Sequence, residues 1–515
     1  MSRRPEGLVQ AGGTTFGGIV VGAAATLLLA KVVGNGLGAA GTGLFFQAIA
    51  LFAIVSNALQ LGADTALVRT LSRQIALGER GGIRATVRSA VVPVAVVGAL
   101  VTGMVLLAAE PLATLVAPQD PAYAVGVLRI MAPFLAAGAL LAVLLGATRG
   151  LGSTVPYTLL QNIGLPVARL AVVALAMTAG LPVQVVAGAW AAPLVIVTAV
   201  AALLTVRAVR SASAVAATAP VDLPAVRRAF WGFALPRGAS TLIERMLDWT
   251  GVLLVLAMAG PVAGGIYAVV NRCVSAGTMI DQAARIVVGP RISRALAVQD
   301  RTEASALFLD VTRAIVAVSW PFYLLLAVFA PAVLSIFGRE FRAGALPLAL
   351  VAIAMMLATT AGMVQSILLM GGRSSWQLGN RLVQLATLTV VTALLVPPLG
   401  LTGAAIGWMA SIVVDTVLAA VQVGVKLGIR SSPRRIALPA LLALVVFAGG
   451  GSLAAALLGQ SVPVLVLAAT ALGLVYLGLL VALRSRLGFG ALLPKRKTAA
   501  ATGVAVAIAE PVAAR

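Results

Sequence analysis

Long apolar runs separated by a few polar residues set the pattern of this chain. They fall at 11–33, 39–63, 87–109, 124–148, 156–179, 183–206, 232–259, 263–289, 304–329, 346–370, 375–396, 402–425, 436–458 and 461–483. A helix needs about 20 apolar residues to cross a bilayer core, and every run is long enough. The pattern predicts an all-α polytopic membrane protein of about fourteen transmembrane helices, joined by connections too short for a soluble domain.

The basic positions orient the stack. They collect in alternate connections: Arg69, Arg73, Arg80, Arg84 and Arg88 after the second run, Arg149 after the fourth, and Arg207, Arg210, Arg227 and Arg228 after the sixth. The same holds after the eighth (Arg291, Arg294, Arg301), the tenth (Arg373), the twelfth (Lys426, Arg430, Arg434, Arg435) and the last. The connections between these are nearly bare, apart from Arg339, Glu340 and Arg342. Cytoplasmic loops carry the excess of Lys and Arg, so both termini are expected in the cytoplasm.

The pattern also repeats. The segment GLFFQAIALFAIVSNALQLGADTALVRTLSRQ from Gly43 aligns with GIYAVVNRCVSAGTMIDQAARIVVGPRISRAL from Gly265. Gly43 meets Gly265, Phe45 meets Tyr267, Ser56 meets Thr278, Gln60 meets Gln282 and Arg69 meets Arg291; farther on, the GAW ending at Trp190 echoes the IGW ending at Trp408. An even number of spans per copy puts the symmetry axis along the membrane normal. The expected organisation is two six-helix lobes in a pseudo-two-fold repeat (1–215 and 216–430), two additional C-terminal helices (431–490) and a disordered cytoplasmic tail (491–515).

Composition excludes several functions. Hydrophobic residues make up 61% of the 515 and charged ones 10%, against roughly 45–50% and 25% in soluble domains. The formal charge of +22 sits at helix ends rather than in a basic domain, which argues against nucleic acid as a partner. Cys273 is alone and histidine is absent, so neither a disulfide framework nor a Cys/His metal site is expected. No phosphate-binding G-x-x-x-x-G-K-[ST] occurs, and the expected outer loops are short for a membrane polymerase or ligase. No cofactor, metal or catalytic residue is expected.

Charged groups inside spans carry the functional signal, since one at a helix centre costs about 2.5–3.5 kcal/mol on insertion scales. In the seventh run Arg237, Thr241, Glu244, Arg245 and Asp248 share one face at 100° per residue. In the eighth, Asn271, Ser275, Thr278, Gln282 and Arg285 share another, flanked by Arg272 and Asp281. Two adjacent striped helices imply a shared hydrated cavity, or pairing of the charges among themselves. Asp248, Asp281 and Asp415, the last in mid-span, are candidate ion-coupling groups. Arg129, Arg169, Arg313 and Arg381 read as span-end residues that snorkel.

The stretch GTGLFFQAIALFAIVSNALQLGADTALVRTLSRQ resembles the second helix and basic loop of bacterial polysaccharide repeat-unit flippases. The stretch FALPRGASTLIERMLDWTGVLLVLAMAGPVAGGIYAVVNR resembles their seventh and eighth helices: the FALP start, a mid-helix Asp (Asp248) and Gly265-x-Tyr267 after the turn all match. These flippases belong to the multidrug/oligosaccharidyl-lipid/polysaccharide exporter superfamily. The basic, Asn- and Phe-rich second helix of dedicated lipid II flippases is not seen. The resemblance implies a bacterial plasma-membrane flippase that moves a polyprenyl-diphosphate-linked oligosaccharide across the bilayer by alternating access. It also implies glycosyltransferases and a polysaccharide polymerase as partners. A lipid II flippase or a cation-coupled multidrug exporter of the same fold is the alternative. Arginine suits a diphosphate because its planar fork makes paired hydrogen bonds. The implied substrate-binding residues are Arg237, Arg245 and Arg272, with Glu244, Asp248, Asn271, Gln282, Lys31 and Gln47 completing the groove.

Overall fold

A computed structural model describes residues 5–116, 120–214, 222–280, 282, 301–362, 364–370, 374–426 and 433–483. These residues are overwhelmingly helical. Twelve stretches are long and apolar enough to cross a membrane. Two of them, Gly17–Ala76 and Pro224–Ile280, contain 60 and 57 residues, more than twice what one crossing needs. The long helix of each is broken inside at a glycine, Gly38 (φ 64°, ψ −174°) and Gly260 (φ 84°, ψ 175°); the first stretch turns again at Leu61 and Gly62 before the helix Ala63–Ala76. The backbone region of Gly38 and Gly260 is essentially open only to glycine. The chain turns back at both of these glycines: Leu29 and Ile49 line one cavity, and the Asn271 amide reaches the Asp248 carbonyl at 3.3 Å. The described residues therefore make fourteen crossings.

The membrane helices are α1 (5–37), α2 (39–59), α3 (Ile83–Leu107), α4 (121–150), α5 (157–178), α6 (183–213) and α7 (223–259). They continue with α8 (261–275), α9 (Arg301–Val328), α10 (Ala345–Thr360, extended by Val364–Met370), α11 (Ser374–Leu399), α12 (Leu401–Lys426), α13 (433–458) and α14 (Val462–Ala482). Gly38 and Gly260 stand at the same spacing as Gly43 and Gly265, so the repeat read from the sequence extends to the backbone break itself.

The structure departs from the expected runs in three places. The basic loop after the second run is a helix, Ala63–Ala76, which buries Ala63, Ala66, Leu67, Leu71 and Gln74 on one side. α7 begins at Leu223 because Asp222 caps it, accepting the Ala225 N–H at 3.1 Å. α10 is interrupted at Gly362 (φ 65°), where a Cβ would strike the Thr312 hydroxyl. The domain boundaries expected at 215/216, 430/431 and 490/491, and the tail, lie outside the described residues.

The two halves meet along α2, α7 and α8. A Cβ on Gly265 would lie 2.7 Å from the Gly43 nitrogen, and one on Gly43 would lie 2.9 Å from the Gly265 nitrogen. The backbones therefore touch at the repeat axis. Near the far end of α2, a Cβ on Gly238 would lie 2.8 Å from the Gly62 nitrogen, and Arg69 stacks on Phe233 at 4.4 Å. The α2–α7 seam is thus sealed. The repeat relates it to the seam between α1 and α8, which instead opens into a cavity.

Candidate functional site

A cavity of about 440 Å³ sits inside the N-terminal half and is closed by α7 and α8. Four arginines line it: Arg149 on α4, Arg169 on α5, Arg245 on α7 and Arg272 on α8; Asp64 is the sole carboxylate among its lining residues. Arg169 lies 3.6 Å over the Trp190 ring and donates from Nε to the Trp190 carbonyl at 3.2 Å. Arg272 lies 4.5 Å over Trp249 and 5.4 Å from Phe46. Arg149 lies 4.4 Å over Tyr157, with Asp64 at 3.9 Å. A guanidinium held face-on by a ring is fixed by cation–π attraction and keeps its N–H edges for another partner. The Arg149 Nε and the Asn57 Oδ1 are buried with no hydrogen-bond partner.

Local sequence builds this wall. Pro166 has no N–H to give the Asn162 carbonyl one turn earlier, and Tyr157–Gly164 widens into a π-helix. The Asn162 carbonyl then lies where a Cβ on Gly22 of α1 would be, so α1 packs close. Tyr157, Gln161 and Arg169 consequently face one space. Ser56 and Asn57 of α2, Gln60 of the turn after it and Asp64 of the helix Ala63–Ala76 add hydrogen-bonding groups to the same cavity.

A second cavity of about 450 Å³ shares Thr26, Gln161, Pro166, Arg245 and Arg272 with the first and opens between α1, α5 and α8. Ser275 and Gln282 line it, so part of the α8 stripe faces this space.

The expected residues divide. Arg245 and Arg272 line the cavities, and Gln282 lines the second. Asp248 stands beside them and pairs with Arg245 at 3.2 Å, while Asn271 ties α8 to α7. Arg237 and Glu244 pair with each other at 3.7 Å and line no described cavity. Lys31 is exposed on α1 and lines none either. Gln47 turns away from the groove toward Tyr123 and Val127 of α4, because the cavity-lining side of α2 belongs to its neighbour Phe46. Asp281 lies outside the described residues.

Two arginines read as snorkelling do otherwise. Arg169 is mid-span and stacked in the cavity. Arg381 is part of a half-buried network in the C-terminal half: its Nη1 donates to Asp415 Oδ2 at 3.2 Å and to Gln384 at 2.6 Å, while Gln365 donates to Asp415 Oδ1 at 2.9 Å. Asp415, a candidate ion-coupling group, therefore already holds a cation. Arg149, assigned to a connection by the sequence, completes the cavity from the last turn of α4.

No family model and no curated protein matches the sequence. Solved structures do match in fold. One is the lipid II flippase MurJ in an inward closed conformation, with TM-score 0.68 and 10% identity over 92% of this chain and 98% of that one. Another is an inward-facing multidrug resistance MATE family transporter of the MOP superfamily, with TM-score 0.64 and 17% identity over 79% and 95%. A third is a MOP superfamily transporter from Pyrococcus furiosus, described as having a binding pocket of reverse polarity that suggests a different function. Its TM-score is 0.54, with 16% identity over 82% and 95%. The chain has the fold of these transporters.

Proposed function

We propose that this protein is a flippase for a polyprenyl-diphosphate-linked oligosaccharide, moving it from the cytoplasmic to the outer leaflet by alternating access. The observation that carries this reading is the cavity lined by four guanidinium groups, with Asp64 near Arg149 and Asp248 paired to Arg245, which leaves Arg169 and Arg272 without a carboxylate partner among the described residues; three of the four are braced on aromatic rings. A diphosphate cannot enter hydrocarbon without replacements for its hydration. Braced arginines supply charge-assisted, paired donors in a fixed geometry. The uncharged groups of α2, the turn after it and α5, Ser56, Asn57, Gln60 and Gln161, offer hydrogen bonds of the kind a glycan needs. The open α1–α8 seam would let the apolar tail stay in lipid while the headgroup occupies the cavity. An organic cation would meet the wrong sign of field here.

The test is reconstitution in vesicles with a labelled polyprenyl-diphosphate sugar. Wild type should expose the sugar on the far leaflet, and Arg169→Gln or Arg272→Gln should slow this at least tenfold with the protein still folded. Efflux of organic cations without any lipid-sugar flipping would overturn the proposal. Flipping of lipid II in preference to the peptide-free glycan would keep the mechanism and change the cargo.

A further inference from the structure

Outside the sealed α2–α7 seam, a separate groove of about 840 Å³ lies between α3 and the first turns of α7. Its two ends differ in chemistry. Arg227 and Arg228 are exposed on the opening turns of α7, and Ser89 of α3 lies across from them. Leu235 lies about 12 Å deeper at 1.5 Å per residue, and Phe230 and Trp231 form the wall between. Phe230 is buried and meets Trp231 edge-to-face at 5.2 Å, so the apolar wall is firm. The nearest carboxylate in sequence, Asp222, is engaged with the Ala225 N–H as the helix cap.

We propose that this groove binds one anionic phospholipid, its phosphate against Arg227 and Arg228 and its acyl chains along Phe230 and Leu235. The general bias of basic residues toward one membrane face explains arginines at this end of many helices. It does not explain why two of them border an apolar groove, while the equally exposed Arg207 and Arg210 at the same end line no described cavity. The charge of the site fits an anionic headgroup, and its apolar depth fits chains rather than a free ion. The lipid would bridge the two halves, α3 on one and α7 on the other, beside the Gly62–Gly238 contact. The inference does not depend on the cargo of the central cavity.

The experiment is native mass spectrometry of the full chain in micelles doped with phosphatidylglycerol or phosphatidylcholine. One tightly held phosphatidylglycerol is expected on wild type. Arg227→Gln/Arg228→Gln should weaken it about thirtyfold, while Arg207→Gln/Arg210→Gln should leave it unchanged. Ala85→Phe, which fills the groove without touching charge, should also displace it and covers the case in which the double arginine variant does not fold. Equal weakening by both arginine pairs would reduce the effect to a diffuse field and overturn the site. So would no preference for phosphatidylglycerol, or displacement of the lipid by inorganic phosphate alone.

Discussion

The carboxylate of Glu340 accepts a hydrogen bond from the backbone N–H of Ala39 at 2.9 Å. Glu340 belongs to the turn Arg339–Gly344 between α9 and α10, and Ala39 is the first residue of α2, so the bond joins the two halves. The break at Gly38 leaves the opening N–H groups of α2 without helical partners, and a carboxylate there is favoured by the helix dipole. The acid in the one charged exception to the bare loops thus has a partner on the other half of the molecule.

Glu340→Ala should loosen this seam. Loss of a cap is worth about 1 kcal/mol, roughly a fivefold change in a two-state equilibrium. The check is the labelling rate of a cysteine placed at Asn35, which reaches the Ile336 carbonyl across the same seam. Cys273 is buried and gives a quiet background. An unchanged rate would mean that the bond does not hold the halves together.

Trp190→Leu should impair transport through Arg169, whose guanidinium it carries at 3.6 Å. A cation–π contact is worth about 0.5–2 kcal/mol, so initial flipping rates should fall by up to roughly thirtyfold. Trp190→Phe should retain part of the activity. If both variants flip at the wild-type rate, the stack does not position Arg169.

Asp415→Asn should destabilise the fold, because it leaves the half-buried Arg381 without its counter-ion. Breaking one side of a fully buried pair costs about 3–5 kcal/mol, and the partial exposure of Arg381 puts the expected loss below that range; replacing both sides with apolar groups costs far less. Arg381→Met/Asp415→Leu should therefore recover much of the thermal stability lost in the single change. A coupling-ion role predicts the opposite pattern: Asp415→Asn as stable as wild type, with transport abolished.

Single cysteines at Ser153 and Gly180, both exposed at helix ends, should label from opposite sides of the membrane. Ser153 stands at the arginine-rich end and is expected in the cytoplasm. Labelling of Ser153 from outside intact cells would invert the whole stack.

The membrane class and the span count were legible in the sequence because apolar run length is a direct physical requirement. The repeat was legible because Gly43 and Gly265 face a steric demand that no other residue meets. The cavity was legible only in part. Arg245 and Arg272 stand on a visible polar stripe, but Arg169 is a lone charge in its span, and its partner Trp190 reads as an ordinary apolar residue. The sequence held two signals that the span-end reading passed over: its place near the middle of the 156–179 run, and Tyr157 and Gln161 at helical spacing before it. Arg149 was hidden by the same bias that orients the helices, since a basic residue after a span is expected anyway. The pairing of Arg237 with Glu244 satisfies a charge pattern that looked like a binding stripe.

The contact of Gly43 with Gly265 is self-complementary: corresponding positions of the two copies touch each other. That is the form of an interface in a two-fold homodimer. This protein can accordingly be viewed as a dimer of six-helix subunits whose joining segment made one polypeptide of two. Selection on such a joined dimer is no longer symmetric. Each copy is free to specialise wherever it does not face the other, and here the first has taken most of the cavity while the second holds the Arg381–Asp415 network. At the axis neither copy is free to change alone, because a side chain added on one backbone must displace the other.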